Sequence, residues 1–152
     1  MSLPLESFIQ KEPEIPHGPT EATANRRMRL VQSFFRRSVL VSYAYKCSFC
    51  GLEVQSLLNA SHIVPWTVSV DLRADPRNGL CLCALHDRAF DRGLMSIDGD
   101  LTLLISKRLK KKNPAPLHQV GFLALEGQRI HLPGRFLPNK TCLEHHRTSI
   151  FA

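Results

Sequence analysis

Side chains that bind metals or transfer protons are concentrated in one stretch of the sequence, residues 59–94. They are histidines, cysteines, aspartates and one asparagine: His62, Asn78, Cys81, Cys83, His86, Asp87 and Asp91. Turn residues and short apolar runs separate them, so they do not lie on one long helix. A compact metal site explains this mixture better than a packed core does.

Two pairs of residues in this part of the chain have the spacing of zinc ligands. Cys47 and Cys50 are separated by two residues and followed by Gly51, and Cys83 and His86 have the same spacing. Three thiolates and one imidazole match the softness and the four-coordinate geometry of Zn²⁺. We therefore predict a structural zinc bound by these four side chains; buried thiols with a helix-capping histidine are the alternative without a metal.

Cys81 is an alternative to Cys83 as the third zinc ligand. Residues 81 and 83 point to the same side of an extended segment, so either sulfur could face the first pair. The spacing to His86 favours Cys83. Cys142 stands alone in the sequence and is predicted to be a small buried side chain.

A second site could combine oxygen ligands with a histidine. Asp87 and Asp91 are four residues apart, so a helix places both carboxylates on one face, where they could bind Mg²⁺ or Mn²⁺. An ion pair of Asp91 with Arg88 or Arg92 is the alternative. His62 could take a proton from water near neutral pH, although a histidine at a strand end is more often only hydrogen-bonded.

The elements that must position these residues are short helices and short strands, which predicts an α+β fold. Apolar periodicity and turn signals give the following boundaries: a helix over about 25–43, strands over 54–63 and 79–82, a helix over 84–92 capped by Gly93, hairpins over 94–105 and 122–132, and a final helix within 138–152. Asn78 precedes Gly79, as is typical of a turn.

The chain length and the prolines predict one domain with an arm. Residues 1–22 are interrupted by prolines and are predicted to be an irregular arm, and residues 23–152 are predicted to form a single domain. Without a long apolar run or a signal peptide, we expect a cytoplasmic protein that does not enter a membrane. In that reducing compartment, cysteines are more often ligands or buried thiols than disulfides.

Positive charge predicts a polyanionic partner. Lys and Arg outnumber Asp and Glu by 20 to 13, which gives a formal net charge of +7. Such a surface attracts nucleic acid, although a basic surface without a partner is the alternative. The first helix has an arginine-rich face, which solvation explains at least as readily as phosphate contact: Arg26, Arg29, Arg36 and Arg37.

The order of these residues resembles the HNH endonucleases. His62, Asn78 and Asp87 follow the Cys-x2-Cys pair, and the Cys-x2-His pair lies among them. The stretches ASHIVPW and DPRNGLCLCALHDRAFDRGL are similar to HNH domains of bacterial restriction-type and defence nucleases. The resemblance is strongest over about residues 45–106.

The resemblance implies a ββα-metal core with a structural zinc knuckle, an N-terminal helix and flanking β-hairpins. It implies that His62 activates water as the general base, and that Asn78 orients the His62 imidazole through the loop backbone or its own amide. Asp87 and Asp91 would bind the catalytic cation. Many relatives have a further metal ligand before the catalytic histidine, where this chain has Ser61, a weak ligand.

The implied activity is metal-dependent hydrolysis of DNA phosphodiester bonds. Mg²⁺ or another divalent cation such as Mn²⁺ or Ni²⁺ would serve the catalytic site, and Zn²⁺ would be structural. Arg77, Arg88 and Arg92 are predicted to contact DNA phosphates. Whether the chain forms a homodimer or binds a partner from a defence system is left open by the sequence. Two alternative functions remain: a non-catalytic zinc-stabilised nucleic-acid-binding module, and an RNase or toxin with the same core.

Overall fold

Short helices surround two small antiparallel strand pairs in the computed structural model, which describes residues 19–152. In chain order the elements are α1 (Pro19–Ser42), β1 (Leu58–His62), β2 (Gly79–Cys83), α2 (Ala84–Asp91), β3 (Met95–Ile97), β4 (Leu103–Ile105), α3 (Pro116–Gly121) and α4 (Lys140–Ser149). Short 3-10 turns occupy Gln55–Leu57, Pro76–Asn78, Lys107–Leu109 and Leu123–Leu125. The predicted arm lies outside the described residues up to residue 18.

Helix α1 begins at Pro19, earlier than the predicted start near residue 25, so the last residues of the predicted arm are helical. Proline suits a first helical turn, whose N–H groups have no partner within the helix. Only the C-terminal half packs on the core: Phe35 and Val39 are buried, whereas Met28 is 44% exposed. In the described part of the chain, no helix is both long and apolar enough to cross a membrane.

Strands β1 and β2 form the antiparallel pair that positions the site. Their register runs from Leu58 opposite Cys83 to His62 opposite Gly79. Every residue of β2 is buried, because α1 and α2 pack against it. The register brings the end of β1 beside the start of β2, so His62 and Asn78 are neighbours across the mouth of the connecting loop.

Helix α2 follows β2 without a linker, which completes the predicted ββα unit. Cys83 is both the last residue of β2 and the N-cap of α2. After the helix, Gly93 adopts a φ of +69°, and a Cβ there would lie 2.1 Å from the carbonyl oxygen of Ile150. Glycine therefore meets two requirements at once, the left-handed turn and the close approach of the chain end.

One of the two predicted flanking hairpins is present. β3 and β4 pair antiparallel from Met95 opposite Ile105, as the sequence predicts for residues 94–105. The second predicted hairpin, over 122–132, is wrong. Its first half forms the Leu123–Leu125 3-10 turn, and its second half contributes a single bridge between Thr102 and Arg129. The 3-10 turn buries Leu125 on the core.

Helix α4 packs against α2 through His146 and Phe90. The ring of His146 stacks on that of Phe90, with centroids 3.7 Å apart. Its Nε2 donates to the carbonyl oxygen of Phe90 over 2.9 Å, and its Nδ1 lies 2.8 Å from the hydroxyl of Ser96. Burial lowers the pKa of His146 to about 4, so this histidine is a neutral structural residue.

Candidate active site and metal centre

The imidazole of His62 is held between two aromatic rings. It stacks on Phe35 of α1, with centroids 3.8 Å apart and an interplanar angle of 8°. Trp66 meets it edge-on, at 5.7 Å and 82°. Contacts on a face and an edge leave the ring little freedom to rotate, so its two nitrogens have fixed directions.

The two nitrogens of His62 have different environments. Nε2 lies 2.9 Å from the carbonyl oxygen of Arg73. Because a carbonyl only accepts hydrogen bonds, Nε2 carries the proton and Nδ1 keeps its lone pair. Burial lowers the pKa of His62, although the hydrogen bond to Arg73 opposes that shift. The ring is therefore neutral at pH 7, as a general base must be.

The side chain of Asn78 forms hydrogen bonds to the backbone of the loop between the two strands. Its side chain is 1% exposed. The Oδ1 atom accepts from the backbone N–H of Val64 over 2.8 Å, and Nδ2 donates to the carbonyl oxygens of Val64 and Leu72 over 3.1 and 3.3 Å. Asn78 makes no contact with the imidazole of His62. Of the two routes predicted for its influence on His62, the geometry favours the loop backbone.

The carboxylate of Asp87 accepts hydrogen bonds from β1 on both of its oxygens. Asn59 Nδ2 donates to Oδ2 over 3.1 Å, and the Ser61 hydroxyl donates to Oδ1. Residues 59 and 61 share a strand face because side chains alternate along β1. Ser61 is 4% exposed, so this weak ligand lies beside the carboxylate and orients it.

Asp91 lies one helical turn after Asp87. The spacing places both carboxylates on one side of α2. Burial and the charge of Asp87 raise the pKa of Asp91, and Arg88 and Arg92 oppose that shift. Two carboxylates that repel each other on one helix face form an oxygen-donor pair that a hard divalent cation would neutralise.

These side chains meet at one cleft of about 580 Å³. From β1 and α2, its lining includes Asn59, Ser61, His62, Asp87 and Asp91. Helix α1 and the loop after β1 add Phe35, Arg36 and Trp66, and His146 of α4 and Ile150 also belong to the lining. The cleft thus brings together a base and two carboxylates from segments that are separate in the sequence.

The four predicted zinc ligands converge at a second place. The ligand atoms of Cys47, Cys50, Cys83 and His86 all lie within 4.8 Å of one another. His86 Nδ1 is 3.3 Å from the sulfur of Cys83 and 3.7 Å from that of Cys47. Among the described residues, this is the one cluster of three or more His, Cys, Asp or Glu side chains close enough to share a metal.

The surroundings of the cluster fit zinc. His86 Nε2 donates to the carbonyl oxygen of Gly121 over 2.7 Å, which leaves Nδ1 free for a metal. Burial lowers the pKa of His86, but the hydrogen bonds with Cys47, Cys83 and Gly121 outweigh it and raise that pKa to about 10, so zinc would replace the proton on Nδ1 when it binds. Hydrogen bonds from Cys50 and Cys83 hold the pKa of Cys47 well below its usual value. Such a cluster stabilises a thiolate, the form that binds zinc.

Cys83, and not Cys81, belongs to the cluster. Both residues lie on β2, but Cys83 is its last residue and begins α2. The chain turns there, so the shared strand face does not carry both sulfurs to one point. Cys81 is fully buried in the hydrophobic core, where burial raises its pKa to about 12. Cys142 is buried as predicted.

The arginines predicted to contact DNA lie outside the cleft lining. Arg88 and Arg92 are exposed on α2, one turn apart. Arg77 is exposed in the turn before β2, with its guanidinium 5.5 Å from the centroid of the Phe136 ring. The three side chains remain available to solvent and to an anionic partner.

Sequence reasoning missed several residues that shape the site. Asn59 is two residues before Ser61, so the alternation of side chains along a strand could have identified it. Phe35 was predicted only as part of an apolar stripe, and nothing local indicates that it stacks on His62. The carbonyl of Arg73 carries no sequence signal, since every residue has a carbonyl.

Comparisons with known proteins find a family and a solved structure similar to parts of this chain. Residues 47–98 match the sequence model of a family described as HNH endonuclease. A solved structure titled "Modification dependent TagI restriction endonuclease" is similar, with a TM-score of 0.49 and 20% identity over 76% of this chain. This chain covers 37% of that protein. No curated protein sequence matches the chain. The match over residues 47–98 confirms the resemblance that the motifs predict, and the mixture of helices and small antiparallel sheets confirms the predicted α+β fold.

Proposed function

We propose that this protein is a metal-dependent endonuclease that hydrolyses DNA phosphodiester bonds. His62 is the general base, and one divalent cation binds at Asp87 and Asp91. One observation carries the proposal: a neutral imidazole and two carboxylates line the same open cleft. Phosphodiester hydrolysis needs both, because water must lose a proton and the anionic phosphate must be neutralised.

His62 supplies the base through its Nδ1 atom. In this scheme Nδ1 takes the proton of the attacking water, while Nε2 stays bonded to the carbonyl of Arg73. That carbonyl also stabilises the imidazolium formed, because its partial negative charge faces the protonated ring. Stacking on Phe35 holds the plane of the ring, and His62 lines the cleft. The base is thus positioned before substrate arrives.

The oxygen donors of the cleft suit a hard cation. Asp87 and Asp91 would hold it, with Ser61 as a weak third donor and water or substrate oxygens in the other positions. Mg²⁺ fits these ligands, and Mn²⁺ or Ni²⁺ could replace it. When bound, the cation would neutralise charge on the phosphate and on the leaving oxygen. The hydrogen bonds from Asn59 and Ser61 keep the Asp87 carboxylate in one orientation.

The zinc cluster is assigned a structural role. Zn²⁺ would cross-link the segment with Cys47 and Cys50 to the start of α2, where Cys83 and His86 lie. A closed set of four protein ligands leaves no open position for substrate, as is usual for structural zinc. The cross-link stabilises a ββα unit that is too small for a large core.

The basic surface is proposed to bind DNA. Arg77, Arg88 and Arg92 would contact phosphates, and the net charge of +7 would attract the duplex over a longer range. Binding of this kind depends on salt and reads little sequence. A homodimer or a partner protein could add specificity.

Plasmid nicking tests the proposal. Purified protein should convert supercoiled plasmid to the nicked form with Mg²⁺, Mn²⁺ or Ni²⁺, and His62→Ala should reduce the rate at least about a hundredfold. His118→Ala is the matched control, since that histidine is bonded to the Leu109 carbonyl outside the cleft. Wild-type protein that never nicks, or His62→Ala that nicks normally, would overturn the proposal.

A non-catalytic nucleic-acid-binding module is the second candidate. Ser61 favours it, because this residue gives the cation site two carboxylates and no third strong ligand. This function predicts one zinc per chain, DNA binding that His62→Ala does not change, and no cleavage. An RNase or toxin with the same core would show itself by cutting RNA faster than DNA in parallel digestions.

A further inference from the structure

We propose that Arg36 binds the scissile phosphate on the α1 side of the cleft. The inference rests on the proposed nuclease function and adds a residue to it. Arg36 lines the same cleft as His62, Asp87 and Asp91. It follows Phe35, whose ring stacks on His62, so the same turn of α1 contributes both residues to the cleft lining.

One hydrogen bond anchors the Arg36 side chain and leaves most of its donors free. Nη1 donates to the carbonyl oxygen of Leu58 at the start of β1 over 3.2 Å. A guanidinium has five N–H donors in a planar fork, which matches two oxygens of one phosphate. Because its side chain is exposed within the cleft, the remaining donors can reach a substrate there.

Within the described residues, no carboxylate forms an ion pair with Arg36. Within residues 19–152, the ion pairs closer than 4.0 Å are Lys46 with Glu53 and Lys110 with Glu126. The acidic groups of the cleft are Asp87 and Asp91, which are assigned to the cation. A phosphodiester between the cation and Arg36 would therefore meet positive charge from both.

Among the described residues, Arg36 is the one arginine that lines this cleft. Its neighbour Arg37 lines a separate groove with Phe34 and Val41. The two arginines have the same charge, helix and exposure class, but they face different partners. That contrast provides a matched control for any effect of net charge.

Single-turnover nicking of supercoiled plasmid, with protein in excess at saturating concentration, tests this assignment. Arg36→Gln should lower the rate constant at saturation by roughly tenfold to a hundredfold, because a donor to the reacting phosphate stabilises the transition state. Arg36→Lys should fall between wild type and Arg36→Gln, since an ammonium keeps the charge but not the fork. Arg37→Gln should stay within about twofold of wild type.

The outcomes separate this inference from the nuclease proposal. Wild-type protein that does not nick would overturn both. If wild type nicks, an Arg36→Gln rate constant within about twofold of it, or an equal loss in Arg37→Gln, would overturn the assignment of Arg36 alone. A contact to a flanking phosphate would raise only the half-saturating concentration, and that result would also overturn it.

A purely structural role is separated by the melting temperature and the zinc content. Arg36→Gln should keep both within error of wild type, because only the bond to the Leu58 carbonyl is lost. If Arg36→Gln loses zinc or melts at a lower temperature than wild type, the nicking rate of Arg36→Lys distinguishes phosphate binding from a structural role. A folded Arg36→Lys protein that nicks at the wild-type rate would overturn the assignment, and a reduced rate would support it.

Discussion

The tautomer of His62 decides which atom can act as the base. The carbonyl of Arg73 fixes the proton on Nε2, so Nδ1 is the nitrogen that keeps its lone pair. Burial keeps the ring neutral by lowering its pKa below the usual value of 6.5. A free histidine would be partly protonated at pH 7, whereas this one is ready to accept a proton.

The pH dependence of cleavage should report this neutral base. The active form is the unprotonated imidazole, so kcat/KM should rise with pH through the pKa of His62 and level off by pH 7. The midpoint of the acid limb should lie below 6.5, because burial lowers this pKa. The measurement is the nicking rate from pH 5 to 8 at fixed ionic strength and saturating metal. A midpoint above 6.5 would contradict the assignment.

Ser61→Asp should strengthen the cation site. The new carboxylate would replace a hydroxyl that now donates to Asp87, so two negative charges would meet at a buried position. Without metal, the variant should melt below wild type because the charges repel. With Mn²⁺, its melting temperature should rise more than that of wild type, because the added ligand binds the cation. Thermal denaturation across a Mn²⁺ titration gives both values.

The conservative variant Ser61→Ala is the control for Ser61→Asp. It removes the hydrogen bond without adding charge, so its response to Mn²⁺ should not exceed that of wild type. An equal response to Mn²⁺ in Ser61→Asp and wild type would indicate that Asp87 and Asp91 do not hold the cation, and would favour the non-catalytic module.

At the scale of elements, the site depends on how closely α1 approaches the strand pair. Gly79 begins β2 opposite His62. A Cβ at this position would lie 2.5 Å from Val39 Cγ2 and 2.8 Å from Phe35 Cζ. The absence of a side chain therefore lets α1 pack directly on β2, and this packing brings Phe35 against the imidazole.

Gly79→Ala should damage both stability and cleavage. The methyl group overpacks the α1 contact, which costs about 1–3 kcal/mol. Relief of that clash would move Phe35 away from its position against His62. The nicking rate should therefore fall by more than the decrease in the folded fraction. Urea unfolding and nicking rates of the same sample measure the two effects. Gly99→Ala is the control, since a Cβ there meets nothing within 4 Å; equal behaviour of the two variants would refute this account.

The loop between β1 and β2 depends on Asn78. Its amide bonds Val64 and Leu72 from inside the loop, and the same loop carries the Arg73 carbonyl that fixes His62. Under the proposed function, Asn78 would therefore orient His62 through the loop and without a hydrogen bond to its ring.

At the scale of the whole molecule, the zinc cluster joins segments from distant parts of the chain. Cys47 and Cys50 follow α1, Cys83 and His86 open α2, and His86 also bonds the Gly121 carbonyl at the end of α3. Loss of the metal would release three regions of a small domain at once. The fold should therefore depend on zinc.

Cys83→Ser and Cys81→Ala should have different effects on metal content. Cys83→Ser should lose the bound zinc and melt at a much lower temperature, because a ligand is removed from a closed site. Cys81→Ala should retain one zinc per chain and lose only about 1–2 kcal/mol from the smaller core side chain. Elemental analysis and thermal denaturation compare them. Zinc retained by Cys83→Ser and lost by Cys81→Ala would reverse the ligand assignment.

The sequence alone identified the candidate metal ligands and the order of the core elements. Metal ligands two residues apart, carboxylates one helical turn apart and apolar periodicity are local signals, because a turn, a helix or a strand fixes the geometry between near neighbours. These signals predicted the zinc set of Cys47, Cys50, Cys83 and His86, the ββα order and the HNH resemblance. The division into an arm and a domain, and the cytoplasmic location, stay predictions.

Only the tertiary structure decided which of several equivalent residues meet. It placed Cys83 and not Cys81 in the cluster, and Arg36 but not Arg37 in the cleft. It also replaced the second hairpin with a 3-10 turn. The physical reason is the same in each case. Local spacing fixes which side of an element a residue occupies, but packing between distant segments determines what that side touches.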